Sequence, residues 1–224
     1  MMPLGRSEVK MYLSQVEIDR HNRRKTRDLT HAGAFHAWVE ESFPQEIANH
    51  ERTRKLWRTD RLAGKEYLLV VSEQKPNLEA LEKYGVKDTA RTKDYGPFLA
   101  SLKEGGRYRF RVTLNPVVAV KVDTQDRGRV MPHVTVAQQM QFLADRAEKN
   151  GFSLREDEFT ITERGYAAFK RGGQRPIRLS KATYEGVLTI TDASKFRELL
   201  TRGMGKKKAY GFGMMTVIPM PEAR

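Results

Sequence analysis

Residues 107–114, RYRFRVTL, set Tyr108, Phe110, Val112 and Leu114 against Arg107, Arg109, Arg111 and Thr113 without a break. A side-chain period of two belongs to a strand with one apolar and one wet face, so this segment fixes a sheet in the second half of the chain. It opens GRYRFRVTLNPVVAVKV, read as one strand. TVAQQMQFLADRAEKNG then changes to helical spacing, with Val136, Met140, Phe142 and Leu143 on one face, Thr135 as cap and Gly151 as stop. EFTITERGYAAFKR and IRLSKATYEGVLTITD read as strands around the turn KRGGQRP. DASKFRELLTRG reads as a helix between Asp192 and Gly203, and YGFGMMTVI as the closing strand.

The first half runs in the same order. MYLSQVEI (11–18) alternates as a strand after a dispensable ten-residue leader, and a basic loop, DRHNRRKTRDL, follows. Ala34, Phe35, Trp38 and Val39 mark a helix over about 31–42, stopped near Pro44. RTRKLWRTD and KEYLLVVSE read as strands, the latter central because Tyr67–Val71 is continuously apolar. NLEALEKYG is a short helix ending at Gly85. Strand, helix, strand, strand, helix, strand is the split-βαβ plan. The fold class is therefore α+β with tandem ferredoxin-like, RRM-like domains, placed at 11–95 and 105–220. A stretch rich in Lys, Asp, Gly and Thr, 86–106, links them and has room for one short strand around 97–100. The alternative is a single α+β domain with accidental repetition.

Charge narrows the partner. Forty-one Lys and Arg against 28 Asp and Glu give +13, spread along all 224 residues, which favours a polyanion. A hydrophobic fraction of 39% argues for a folded chain. With no cysteine, disulfides, thiolate metal sites and a Cys nucleophile are excluded. No apolar run suits a membrane span and the N-terminus lacks a signal-peptide core, so the expected address is the cytoplasm and no membrane partner is expected. Nucleic acid suits the charge better than an anionic bilayer, because the helices carry no broad leucine or aromatic face.

Three motifs carry candidate chemistry. In GMGKKKAYGFGMMTV, Gly203, Gly205, Gly211 and Gly213 surround Lys206, Lys207 and Lys208. Bare backbone beside dense charge can cradle phosphates, although the same residues also suit a helix stop with a solvated lysine run. The spacing is not that of a P-loop, so a nucleoside triphosphate site is not expected. His31 and His36 stand at the start of the first helix, where either a structural or a proton-transfer role is open. Imidazole chemistry on RNA needs only deprotonation of the 2′-hydroxyl, protonation of the leaving 5′ oxygen and cations around the phosphorane. Cationic neighbours would hold such a histidine near or below neutrality, available as a base. Finally, YAAFKRGGQRPIRLSK is a ribbon whose Lys170, Arg171, Arg175, Arg178 and Lys181 could enter a nucleic-acid groove or lie solvated. Arg23, Arg24 and Arg27 of the basic loop are further candidate RNA contacts.

MYLSQVEI, HAWVEESFP, RFRVTLNPVVAV, YEGVLTITD and GMGKKKAYGFGMMTV together resemble CasE, the CRISPR RNA-processing endoribonuclease family of type I-E systems, over residues 11–218. The ending is the most specific match, through Gly203, Gly205, Lys208, Ala209, Gly211, Gly213, Met214 and Met215. The resemblance implies tandem ferredoxin-like domains, cleavage of the repeat transcript 3′ of a stem-loop without metal or cofactor, and retention of the crRNA among the other Cascade subunits. It also implies that His36 is the catalytic histidine, as general acid or base. Some relatives carry a tyrosine three residues ahead of that histidine, where this chain has Gly33, which leaves His31, nearby arginines or a lysine to share the work. The rival class is a non-catalytic RNA-binding subunit of a ribonucleoprotein.

Overall fold

The computed structural model describes residues 10–120, 129–169 and 177–221. In the first half, β1 (Tyr12–Glu17) leads through α1 (Arg23–Thr26), α2 (Ala32–Glu41) and α3 (Pro44–Ala48) to the hairpin β2 (Leu56–Leu62) and β3 (Lys65–Ser72). Then come α4 (Leu78–Leu81), β4 (Arg91–Asp94) and α5 (Gly96–Ser101). The sheet order is β2-β3-β1-β4, with every neighbour antiparallel. The second half contains β5 (Arg107–Leu114), a ribbon of β6 (Val117–Val120) and β7 (Arg129–Pro132), α6 (Val136–Ala147), β8 (Phe152–Phe169), β9 (Ile177–Ile190), α7 (Ala193–Arg202) and β10 (Met215–Pro219). Its sheet order, β10-β5-β9-β8, repeats the first with β5 in the place of β1. The tandem ferredoxin-like plan is the observed one.

Periodicity explains the layers. Tyr108, Phe110, Val112 and Leu114 of β5 are all buried and meet Phe142 and Leu143 of α6 and Phe196, Leu199 and Leu200 of α7. Each large apolar side chain so removed from water contributes about 1.5–3 kcal/mol. In the first sheet, Val16, Trp57, Leu68 and Val70 face Trp38 and Val39 of α2. Leu56 and Val71, one residue out of phase, join the core of the second half. β3 is thus central and covered on both faces, which is why it reads as an unbroken apolar run.

Several boundaries differ from expectation, each for a local reason. The strand expected through residue 122 stops at Leu114, because Pro116 cannot donate to a ladder and Asn115 turns its Nδ2 to the Ser180 carbonyl at 2.6 Å. The continuation becomes β6, paired with β7. The short strand expected around 97–100 is helix α5, with Pro97 in its first turn, and the edge strand is β4, polar because it pairs on one side only. Val136 is exposed, and Gln139 takes its place in the buried stripe of α6. The closing strand starts at Met215 rather than Tyr210, since Lys207, Gly211 and Gly213 hold φ of 64°, 82° and 86° and bend the chain. No helix among the described residues is long and apolar enough to cross a membrane.

Candidate active site

Besides Leu56 and Val71, one buried polar side chain joins the two sheets. Arg58 of β2, 2% exposed, donates through Nη1 to the carbonyls of Arg111 on β5 (2.7 Å) and Met214 before β10 (2.8 Å). Its Nη2 reaches Thr216 Oγ1 at 2.7 Å and Asp60 Oδ2 at 2.6 Å. Arg111 in turn pairs with Asp60 at 3.1 Å and with Glu185. Next to Arg58, Trp57 donates Nε1–H to the Ala209 carbonyl at 3.0 Å, so the glycine-rich segment is pinned to the first sheet.

Within that segment the glycines do different jobs. Gly203 stops α7, donating to Leu199 O at 2.8 Å. Gly213 receives the Met204 amide at 2.9 Å and donates to Thr113 O at 2.8 Å; a Cβ on it would lie 2.2 Å from Met204 O. A Cβ on Gly211 would lie 2.7 Å from the Trp57 ring. Gly205 is open, its nearest outside atom 4.0 Å from a Cβ. Three of the four glycines are therefore required by packing, and Gly205 leaves bare main chain beside exposed Lys206 and Lys207. Lys208 is half-buried; burial first, then Arg54 and Arg202, holds its ammonium below the ordinary lysine value against the pull of Glu198.

Helix α2 presents the histidines to this segment. His31 is its N-cap, with Nδ1 accepting the Ala34 amide at 3.2 Å, so that nitrogen is committed to the helix and only Nε2 is left outward. His36, in the second turn, lies edge-on to Tyr210 of the glycine-rich segment, ring centroids 5.7 Å apart. Tyr210 also packs on Phe169 of β8 at 4.2 Å. Beside these rings a cleft of about 200 Å³ is lined by His31, Phe35, Trp57, Tyr210 and the ion pair of Glu163 with Lys181.

Behind His36 runs a chain of charges. Its Nδ1 faces Glu40 Oε1 at 3.9 Å, one helical turn on. Glu40 Oε2 faces Lys55 at 3.5 Å and Arg52 at 3.9 Å. Lys55, 1% exposed in its side chain, is bound to Glu46 Oε2 at 2.6 Å, and Thr53 donates its amide to the same carboxylate at 3.0 Å. Burial works against the Glu46 anion, but the Lys55 and Thr53 hydrogen bonds prevail and hold its carboxyl below the usual range. Burial chiefly lowers the His36 imidazole from its ordinary 6.5; Glu40 pulls it up, and Arg52 and Lys55 push it down. The direction agrees with expectation, while the leading cause is desolvation rather than cationic neighbours.

The other candidates are dispersed. Arg23, Arg24 and Arg27 are exposed on and just after α1, Arg27 beside Asp28 at 3.4 Å. Arg178 is exposed, stacked over Tyr166 at 4.5 Å. Lys170, Arg171 and Arg175 lie outside the described residues. No three His, Asp or Glu converge as metal ligands among the described residues. The readings from sequence missed Tyr210, Glu40, Lys55, Trp57 and Arg58. Only Glu40, four residues beyond His36, was recoverable from helical spacing.

Two ferredoxin-like sheets joined through Arg58, with a half-buried helix histidine opposite a basic glycine-rich segment, define a protein of the tandem ferredoxin-like class. The match of the CRISPR associated protein family over residues 11–219 makes the assignment specific: the chain belongs to that family, on the CasE/Cse3 branch. It is 27% identical over 220 residues to the CRISPR-associated endoribonuclease Cse3 of Thermus thermophilus, covering 93% of this chain and 100% of the relative. It is 30% identical over 128 residues to the Cascade subunit CasE of Escherichia coli, covering 53% of this chain and 61% of that one. The solved Thermus thermophilus Cse3 bound to an RNA representing a pre-cleavage complex superposes with a TM-score of 0.78 at 26% identity, over 94% of this chain and 100% of that one.

Proposed function

We propose that this chain is a metal-independent endoribonuclease that cleaves CRISPR repeat transcripts 3′ of a stem-loop and keeps the crRNA as a Cascade subunit. The observation that carries the reading is His36, lowered from its ordinary pKa and set across from Tyr210 and the basic glycine-rich segment at the joint of the sheets. Membership of the family supports it, as do a relative named an endoribonuclease and another named a Cascade subunit.

In the proposed reaction the RNA 2′-hydroxyl loses its proton and its oxygen bonds to the adjacent phosphorus. The bond from phosphorus to the 5′ oxygen breaks, and that oxygen takes a proton, giving a 2′,3′-cyclic phosphate and a 5′-hydroxyl. His36 Nε2 performs one of these proton transfers, a contribution of about 10²–10⁴-fold. Lys208, with Lys206 and Lys207 around Gly205, offsets charge on the phosphorane. Arg23, Arg24, Arg27, Lys170, Arg171, Arg175 and Arg178 hold the hairpin, and the units 11–95 and 105–220 act as two domains gripping one RNA. His31 supports α2 and borders the cleft.

The test is single-turnover cleavage of the organism's own repeat hairpin in EDTA, with wild type and His36→Ala. Wild type is expected to cut, and His36→Ala to bind within a few-fold but not cut. Cleavage by His36→Ala at the wild-type rate sinks the assignment. Loss of wild-type cleavage in EDTA sinks metal independence, and hairpin binding without cleavage by wild type in any buffer returns the chain to a non-catalytic RNA-binding subunit.

A further inference from the structure

The charges behind His36 form an ordered relay. Glu40 stands between the imidazole and two cations: Oε1 faces His36 Nδ1 at 3.9 Å, while Oε2 faces Lys55 at 3.5 Å and Arg52 at 3.9 Å. Lys55 cannot drift, because its side chain is only 1% exposed, bound to Glu46 at 2.6 Å and seated over the Phe43 ring at 4.8 Å. Glu46 is held by the Thr53 amide and hydroxyl. The carboxylate of Glu40 is thereby anchored through one oxygen and offers the other to the histidine. A carboxylate at Nδ1 favours the tautomer with the proton on Nδ1 and the lone pair on Nε2, the nitrogen left for substrate.

We propose that Glu40 is a positioning residue for His36, fixing its Nδ1–H tautomer and ring orientation, with Lys55 and Glu46 as the anchor that fixes Glu40. The inference rests on the catalytic reading of His36. A separation of 3.9 Å is longer than a hydrogen bond, and such contacts tighten when substrate occupies the site. The groups facing His36 are Glu40 from its own helix, Arg52 and Lys55 from the segment before β2, and the Tyr210 ring from the glycine-rich segment. Among them Glu40 alone raises the affinity of the imidazole for a proton, so its removal has a definite sign.

The experiment compares Glu40→Gln and Glu40→Asp with wild type in single-turnover cleavage across pH, with hairpin affinity and melting temperature measured alongside. Glu40→Gln is expected to cut about 10-fold or more slowly, to bind RNA as wild type does, and to move the pH midpoint of the limb set by His36 downward. Glu40→Asp, which keeps the charge, is expected to restore the midpoint and part of the rate. A rate loss equal at every pH, with no displaced midpoint and no rescue by Asp, would make Glu40 a merely structural helix residue and overturn the proposal. A readout independent of any variant's folding is the imidazole tautomer of His36 in wild type by nitrogen NMR at alkaline pH. The Nδ1–H form is expected to dominate, and a dominant Nε2–H form overturns the proposal. If His36→Ala cuts normally the catalytic reading fails first; if His36→Ala is dead and Glu40→Gln behaves as wild type, only the positioning role fails.

Discussion

Arg58→Met should loosen the whole molecule, and its size can be worked from the bonds it breaks. Methionine keeps most of the apolar volume but none of the donors. Lost are the pair with Asp60 at 2.7 and 2.6 Å, the bonds to the Arg111 and Met214 carbonyls at 2.7 and 2.8 Å, and that to Thr216 at 2.7 Å. Removing one partner of a buried ion pair costs about 3–5 kcal/mol. Each carbonyl left unpaired costs about 1–3 kcal/mol more. Asp60 is 18% exposed in its side chain and keeps Arg111 at 3.1 Å, which softens the first figure. With the first figure reduced to about 1–3 kcal/mol and about 2–6 kcal/mol added for the two carbonyls, a net loss of about 3–9 kcal/mol follows, or a fall of about 6–36 °C in melting temperature for a chain of this size. Circular dichroism melts and urea titration read it directly. Arg58→Lys, which keeps the charge but brings three donors to the five acceptor atoms that Arg58 serves, should fall between. A loss below about 1 kcal/mol would refute the view that this side chain is what locks the sheets together.

Gly213→Ala should lower stability by about 2 kcal/mol or more and Gly205→Ala by only about 1, because both need positive φ but only Gly213 meets backbone at 2.2 Å; equal melting temperatures would contradict the packing role of Gly213. Lys208→Ala should leave the melt nearly unchanged and weaken hairpin binding or cleavage less as salt is raised, with the log–log salt slope reduced by about 0.7–0.9; an unchanged slope would remove Lys208 from the RNA. His36 takes its proton more weakly folded than unfolded, so the stability it contributes is present above its ordinary 6.5 and is lost as pH falls below that value. Wild type should therefore lose more melting temperature than His36→Gln between about pH 7.5 and 5.5; parallel losses would contradict the direction.

Both ferredoxin-like units were legible because their strands and helices bury one face each, and burial writes a period into the residues. Tyr108, Phe110, Val112 and Leu114 are the clearest case. Where burial is one-sided or absent the signal fades: β4, Arg-Thr-Lys-Asp, is a polar edge held by pairing with β1, and the strand was expected a few residues on, where helix α5 stands. His36 was nominated through the segment HAWVEESFP and the resemblance that the ending makes specific. Its surroundings were not, because Lys55, Arg58 and Tyr210 come to the site through tertiary packing that no local pattern encodes. The glycines were seen as a ligand-facing feature, yet three of them answer first to Leu56, Trp57 and Met204.

The bond from Trp57 to Ala209 joins residues 152 positions apart, and that from Arg58 to Met214 joins residues 156 apart. Closing such distances is slow and comes late in folding. During synthesis, then, α2 can form with its histidine long before the segment opposite it has left the ribosome. The first sheet can fold around α2, but the wall carrying Tyr210 and Lys208 arrives only when β10 pairs with β5. A nascent chain therefore carries its helix histidine before the segment opposite has been built, and under the proposed reading the ability to cut RNA is withheld until the second sheet has closed.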